Sequence, residues 1–195
     1  MMCTASPDGL PVQAFADAAV WETWLLAHAD APGLWLKIAK QGNATPSVTY
    51  AQALDVALCH GWIDGQKRGF DDAWFLQRFT PRRARSLWST RNVAHVERLQ
   101  AAGRIGPAGR REIEAAQADG RWSAAYAGSA SMTPPEELAD ALTATPGAQA
   151  AFDALDRTRR YAACFRVATL KTAAGRVRRA QALAEMIARG EFLRD

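Results

Sequence analysis

Charged, hydroxyl and indole side chains crowd into one stretch of the chain, residues 62–92. Guanidinium forks and hydroxyls at this density can hold a phosphate or carboxylate, and an indole ring can stack on a ring attached to it. Asp64 is the one candidate for a general acid or base, and no other catalytic residue is predicted. The candidate ligand-binding residues are Trp62, Asp64, Lys67, Arg78, Thr80, Arg82, Arg83, Ser86, Trp88, Ser89 and Asn92.

The same residues also have a purely structural interpretation. Asp64 could pair with an arginine, and Ser89 and Asn92 could cap a helix. The two tryptophans, Trp62 and Trp88, could fill the space between a sheet and its helices. Both interpretations stay open at the level of sequence.

A helix and a β-hairpin are predicted to position these residues. Thr49 and Gln52 have the spacing of a capping box, and Gly61 can end the helix with a positive φ angle. Residues 63–68 and 73–80 then read as two strands joined by the four-residue connection Gly-Phe-Asp-Asp. Side chains alternate between the two faces of a strand. In the second strand this places Trp74, Leu76 and Arg78 on one face and Phe75, Gln77 and Phe79 on the other.

The hairpin is predicted to lead directly into another helix. Pro81 cannot donate to a sheet ladder and therefore ends the second strand. Three arginines follow, and Ser89 is the expected N-cap of a helix that runs to Gly103. A further helix begins at Pro107, because proline suits the first helical position.

The remaining patterns predict an α+β fold. Residues 17–29 have the pattern of an amphipathic helix with Trp21 and Trp24 in the core, and residues 34–40 that of a strand with one buried face. We expect a small antiparallel sheet of about three strands packed with helices, followed by a C-terminal helical bundle. The expected division is a flexible leader at residues 1–14, an α+β core at 15–120 and a mainly helical region at 121–195 packed on the core.

The C-terminal region is predicted to contain four helices, over residues 134–144, 146–155, 156–170 and 172–189. Thr133 and Thr145, each followed by proline, are the expected caps of the first two. Apolar stripes for the bundle come from Tyr161, Phe165, Val167, Leu170, Val177, Leu183 and Ile187.

Composition favours a globular protein of the cytoplasm. The chain has 195 residues, of which 49% are apolar, and no apolar run approaches the ~20 residues that cross a bilayer. The N-terminus lacks the basic and apolar regions of a secretion signal. Three widely spaced cysteines, Cys3, Cys59 and Cys164, suit reduced thiols. Cys59 is read as a small apolar filler, with a reactive thiol as the alternative.

Positive charge is concentrated in two segments. Residues 67–111 carry 11 basic and 3 acidic residues, and residues 157–195 carry 10 and 3, whereas the whole chain is only +4. This pattern is typical of a surface that binds an anion, although helical arginines also occur simply on solvated faces. Nucleic acid is the less favoured partner, since no recognised reader motif is present.

No metal and no cofactor is predicted. The histidines stand apart at positions 28, 60 and 95, and no HExxH or CxxC motif occurs. GxSxG, GxxxxGK[ST] and GxGxxG are also absent. Hydrolases, NTPases and dinucleotide-binding proteins with these recognised motifs are therefore excluded, whereas an enzyme of an unfamiliar kind stays open.

Four stretches of the sequence between residues 53 and 126 resemble a known family. They are ALDVALCHGWIDGQKR, QRFTPRRARSLWSTRN, GRIGP and DGRWSAAY. Together they are similar to the YdeI/OmpD-associated family, also called bacteriocin-protection proteins, with the OmdA-type region toward the C-terminus. The similarity runs from about Trp21 to the last helix, and His60 departs from it, because such proteins more often carry an aromatic residue there.

The resemblance implies a cytoplasmic α+β protein with a protective effect against bacteriocins or cationic peptides, but no settled reaction. Our leading hypothesis is a protein that binds a small anionic or aromatic ligand, or a protein partner, through the region from Trp62 to Ser89. The alternatives are an enzyme using Asp64 as acid or base and, less favoured, a nucleic-acid-binding module. Oligomeric state is not predicted.

Overall fold

The computed structural model describes residues 8–129 and 131–191, so Cys3 and the first half of the expected leader lie outside it. Within these residues the chain forms four strands and eight helices, which confirms the α+β prediction. In chain order they are β1 (Val12–Ala14), α1 (Ala18–Ala27), β2 (Leu34–Ala39), α2 (Tyr50–Cys59), β3 (Trp62–Gly69), β4 (Trp74–Pro81), α3 (Thr90–Ala101), α4 (Pro107–Ala118), α5 (Glu136–Ala144), α6 (Ala148–Asp153), α7 (Arg157–Ala168) and α8 (Ala173–Ala188).

The sheet has the strand order β1-β2-β4-β3. β3 and β4 form the predicted antiparallel hairpin, and β4 also pairs antiparallel with β2. The prediction of about three antiparallel strands missed β1, which pairs parallel with β2. Residues 12–14 therefore belong to the sheet and not to a leader. The contact with β2 starts at Pro11, whose carbonyl oxygen accepts a hydrogen bond from Trp35 N at 2.9 Å, and residues 12–14 continue the pairing.

β2 is buried on both faces, whereas the alternating pattern predicted one buried face. Leu34, Leu36 and Ile38 are at most 3% exposed, and so is Trp35, which points to the opposite face. Trp35 is covered because its Nε1 donates to Asp8 at 2.8 Å and the Arg68 guanidinium lies 5.9 Å above the ring. The sequence pattern did not anticipate this cover from polar residues.

Aromatic rings form the core between the sheet and the first two helices. Trp21 is fully buried, donates from Nε1 to Ala53 O at 3.1 Å, and its ring lies 5.6 Å from that of Phe79. The predicted core position of Trp21 is confirmed. Trp24 stacks on Trp21 on one side and on His28 on the other, where His28 caps the end of α1.

A glycine lets α4 approach the end of α2 very closely. A Cβ on Gly109 would lie 2.5 Å from Cys59 O and 2.8 Å from Leu58 O, both backbone atoms. Gly106 N donates to Cys59 O at 3.0 Å at the start of the same contact. This contact holds the first turn of α4 against the turn that leads into β3.

The chain forms two compact units, one comprising residues up to Trp88 together with Asn92–Ala124, the other Ser89–Arg91 together with Ala125 onward. The second unit contains α5–α8, and its core is built mainly from alanine and leucine. Its buried residues include Leu138, Leu142, Phe152, Ala163, Cys164, Val167, Ala180, Leu183, Ala184 and Ile187.

Three details of the second unit differ from the sequence prediction. Thr133 does not cap α5, whose N-cap is Pro135, because Pro134 stands before a second proline and is therefore kept out of the helical region. Thr145 is the C-cap of α5, and Gly147, with φ of 78°, precedes α6. Val177 is 55% exposed, since it lies in α8 ahead of its first buried residue, Ala180.

Across the part of the chain that the structure describes, no helix combines the length and the apolar character needed to cross a membrane.

Candidate functional site

The turn after α2 brings the start of β3 and the end of β4 together. Gly61 has φ of 76°, which ends the helix as predicted, and its carbonyl accepts a hydrogen bond from Arg82 N at 2.9 Å. Trp62 pairs with Pro81 across the hairpin. The side chain of Trp62 is 3% exposed and meets the Trp21 and Trp24 rings edge-on at 6.3 and 6.0 Å.

Arg82 and Trp88 are in direct contact. The Arg82 guanidinium carbon lies 3.5 Å above the Trp88 ring, and Nη1 donates to Leu87 O at 3.3 Å. Trp122 packs on Trp88 with ring centroids 4.8 Å apart. Arg82 is only 7% exposed and Trp88 2%. Arg82 and Trp88, both among the predicted site residues, therefore contact each other directly.

A cleft of about 430 Å³ opens beside this turn. Its walls come from the end of α1, the 60–62 turn, the end of β4 and the first turns of α4. The lining residues are Leu25, Leu26, Ala29, Asp30, His60, Gly61, Trp62, Pro81, Arg82, Pro107, Ala108, Arg111 and Glu112. Two arginines, two acidic residues and an apolar wall of leucine and tryptophan therefore line one space, and the Arg82 Nε and Nη2 atoms are themselves buried.

His60 lines the cleft and is hydrogen-bonded to Glu22 of α1. Its Nε2 lies 2.8 Å from Glu22 Oε1, and the two side chains are 16% and 40% exposed. The family resemblance predicts an aromatic residue at position 60. This chain has a histidine there, and the Glu22 carboxylate holds its imidazole in position. The pair connects the end of α2 to α1 at the edge of the cleft.

Asp64 and Arg78 lie on opposite faces of the sheet. Asp64 stands opposite Phe79 in the β3–β4 register and so shares the face that packs on the helices, where it accepts a hydrogen bond from Tyr50 Oη at 2.7 Å. Arg78 stands opposite Trp35 on the other face, with Nε 3.0 Å from Asp8 Oδ2. Successive strand residues point to opposite faces, so these two residues do not share a pocket.

The other predicted residues are spread over several surfaces. Lys67 is exposed, with Nζ 4.3 Å above the Phe75 ring, and Thr80 stands opposite Ile63. Arg83 is exposed, and its backbone N–H donates to Ser86 Oγ at 3.1 Å. The last two predicted positions flank the start of α3.

Those two residues fall in different units. Ser89 immediately precedes α3, as its predicted capping position requires, and bridges to Tyr126 within the second unit. Asn92 is 8% exposed and belongs to the first unit. Of the eleven predicted ligand-binding residues, only Trp62 and Arg82 line the cleft.

Sequence reasoning missed the residues that α1 and α4 contribute. Leu25 and Asp30 reach the cleft from α1 and the residues that follow it, whereas Arg111 and Glu112 reach it through the packing of α4 on α2. The one signal was Gly106-Pro107, a helix start inside a string that the family resemblance had already singled out. It marked the element without indicating which of its side chains face the turn.

Cys59 has the character of a structural thiol. It is fully buried, and this burial raises the pKa of its thiol. A thiol kept protonated is a poor nucleophile and a poor metal ligand. Among residues 8–129 and 131–191, no group of three or more histidine, cysteine, aspartate or glutamate side chains is placed to hold a metal ion.

Two family models match the chain in separate regions. Residues 13–112 match the model described as Domain of unknown function (DUF8412). Residues 131–190 match the model described as Bacteriocin-protection, YdeI or OmpD-Associated, which confirms the resemblance for the C-terminal region. No curated protein and no solved structure matches the chain.

Proposed function

We propose that this chain, which belongs to the Domain of unknown function (DUF8412) family and carries a bacteriocin-protection, YdeI or OmpD-associated region, is a binding protein. Its ligand is a small organic anion with an apolar or aromatic part. The binding site is the cleft beside the 60–62 turn, and it lies within the matched residues 13–112.

One observation supports this proposal above the others: the cleft joins two arginines to an apolar wall. Arg82 Nε and Nη2 are buried beside Trp88, so Arg82 contributes positive charge behind the wall of the cleft and does not have to move when an anion binds. Arg111 is exposed on α4 and can approach a ligand from solvent. Leu25, Leu26 and Trp62 supply the surface for the apolar part, and a volume of about 430 Å³ suits a small metabolite.

The two carboxylates of the cleft sharpen the ligand class. Asp30 and Glu112 line the same space as the arginines, so a simple dianion would meet repulsion as well as attraction. A ligand that carries a carboxylate and an amine satisfies both kinds of charge. An amino acid with an apolar side chain therefore fits the lining better than a phosphate ester does.

Protection against bacteriocins, which the family description names, would be indirect under this proposal. The chain carries a net charge of +4, which opposes the capture of cationic peptides. We place the protein in the cytoplasm, where the free thiols of Cys59 and Cys164 stay reduced.

The enzymatic alternative has less support. Asp64 is hydrogen-bonded to Tyr50 and does not line the cleft, so no ligand in the cleft would meet its carboxylate. The nucleic-acid alternative is also weaker, because Asp30 and Glu112 oppose a phosphate backbone.

Calorimetric titration of the full chain with three related probes tests the proposal. L-phenylalanine carries both charges, 3-phenylpropanoate lacks the amine and 2-phenylethylamine lacks the carboxylate. We expect L-phenylalanine to bind best and 2-phenylethylamine not to bind. Arg111→Gln should weaken binding about tenfold, because it removes a charge-assisted hydrogen bond.

Arg110→Gln is the matched control, since it makes the same change on the neighbouring, exposed residue of α4 outside the cleft. Equal loss in both variants would show that net charge alone attracts the probe and would contradict the proposal. If neither L-phenylalanine nor 3-phenylpropanoate binds, the proposal is contradicted as well. Stronger binding of 3-phenylpropanoate than of L-phenylalanine would remove the role given to Asp30 and Glu112.

A further inference from the structure

The second unit contains a cavity of its own, of about 250 Å³. It lies between Ser129, the loop at residues 131–134, α6 and the first turns of α7. Its lining residues are Ser129, Met132, Pro134, Phe152, Arg157, Arg160, Tyr161 and Cys164. Four of them lie at 157, 160, 161 and 164, the spacing that puts side chains on one stripe of a helix.

The inner wall of this cavity is apolar. Phe152 is 5% exposed and Cys164 2%, while Met132 is partly buried against the same core. Burial raises the pKa of the Cys164 thiol, so this group stays neutral. An apolar part of a ligand can therefore rest on this wall without desolvating a charge.

Two guanidinium groups stand on the cavity lining. Arg157 donates from Nε to Ser129 O at 3.1 Å, which ties it to the loop. Within the described residues, neither Arg157 nor Arg160 pairs with a carboxylate, and Arg160 makes no side-chain hydrogen bond. In contrast, Arg159 of the same helix, which does not line the cavity, pairs with Asp156 at 3.4 Å.

Tyr161 adds a neutral hydroxyl group to the lining of the cavity. Its ring packs on Phe165 with centroids 5.8 Å apart. Burial, together with the nearby Tyr126, raises the pKa of the Tyr161 phenol, so the hydroxyl keeps its proton and can donate it to an acceptor.

We propose that this cavity is a second binding site, which takes a small monocarboxylate with a compact apolar body. The carboxylate meets Arg157 and Arg160, where the positive end of the α7 dipole also favours an anion. The body rests on Phe152, Met132 and Cys164. The volume lies below the usual 300 Å³ lower bound for ligand sites, so the body is no larger than a single ring or a short branched chain.

Titration of the full chain with benzoate, benzyl alcohol and inorganic phosphate tests this site. Benzoate should bind saturably, whereas benzyl alcohol lacks the charge and phosphate lacks the apolar body, so both should bind at least about tenfold more weakly. Arg160→Gln should weaken benzoate binding about tenfold. Arg159→Gln, the same change one position away on the same helix, should leave it unchanged.

Arg111→Gln separates this site from the cleft of the first unit. Benzoate affinity that survives Arg111→Gln but falls in Arg160→Gln assigns binding to the second unit. If benzoate fails to bind, binds no better than benzyl alcohol, or binds equally to the Arg159→Gln and Arg160→Gln variants, the second site is overturned. The proposal for the first unit is judged separately, by the response of L-phenylalanine binding to Arg111→Gln.

Discussion

The cavities of the two units are surrounded by different kinds of residue. In the first unit, large rings pack around Trp21, and α4 touches the end of α2 through backbone atoms at Gly109. In the second unit, the core is mostly alanine and leucine, and the cavity is lined by long, flexible side chains such as Met132 and Arg160. From this comparison we infer that the core behind the cleft of the first unit is rigid, whereas the walls of the cavity in the second unit can adapt.

Paired leucine truncations should show the largest effect and test this contrast directly. Leu54 in α2 is fully buried, and Leu183 in α8 is 1% exposed. Leu54→Ala should cost about 4 kcal/mol, because rigid ring walls cannot collapse into the space left behind. Leu183→Ala should cost about 2.5 kcal/mol, because smaller and more flexible neighbours can move in. Urea unfolding measures both, and equal costs would remove the distinction between the units.

Overpacking the contact between α2 and α4 should have the next largest effect. Gly109→Ala places a methyl group against backbone carbonyls that cannot rotate away, so we expect a loss of about 3 kcal/mol and weaker binding in the cleft. Gly69→Ala is the control, since its Cβ would meet nothing within 4 Å. Thermal unfolding of the two variants gives the comparison. A stable Gly109→Ala protein would show that the cleft wall is not rigid.

An ion network between α2 and α3 should make a smaller contribution that depends on pH. Asp55 accepts from Arg98 at 2.6 Å and lies 2.8 Å from His95 Nδ1. Burial alone would raise the pKa of Asp55, but its hydrogen bonds and charge interactions with Arg98 and His95 outweigh burial and lower it. A carboxylate with a lowered pKa stabilises the fold above its ordinary pKa of 3.8, and this stabilisation is lost as the pH falls through the lower folded value.

Asp55→Asn should therefore cost about 1 kcal/mol at pH 7, and the difference from the unchanged protein should shrink as the pH falls below 3.8. Urea unfolding at a series of pH values measures this. Asp72→Asn, on the exposed connection of the hairpin, controls for net charge. A difference that stays constant down to pH 2 would mean that the network is not the source of the stabilisation.

Local patterns predicted much of the fold. The capping box at Thr49 and Gln52, the positive φ at Gly61 and the hairpin all depend on a few neighbouring residues, and the structure shows each of them. β1 was missed because three residues that pair only with β2 leave no periodic pattern of their own. Both faces of β2 are covered, and that cover depends on side chains far away in sequence.

The candidate site was predicted less well for the same reason. Residues 62–92 are neighbours in sequence, but the pleat of the hairpin sends Asp64 and Arg78 to opposite faces. Arg82 and Trp88 meet because the chain turns back directly after β4. Arg111 shares the cleft with Arg82 only through the contact between α2 and α4, which no spacing within residues 62–92 could show.

The cleft lies in a different family match from the region named for bacteriocin protection. The strings around Trp62 and Arg82 fall in the region of unknown function, whereas the region named for bacteriocin protection begins at residue 131. The function of the cleft therefore has to be measured and is not given by that name.

Indole resonances in a nitrogen-15 NMR titration with L-phenylalanine test the central claim most directly. Trp62 lines the cleft, and the Trp35 indole, which donates to Asp8 on the other face of the sheet, is an internal control. Binding in the cleft predicts that the Trp62 indole signal shifts and saturates while the Trp35 signal stays in place, and that Arg111→Gln weakens the response. A Trp62 signal that does not move at a saturating concentration of L-phenylalanine would contradict the account.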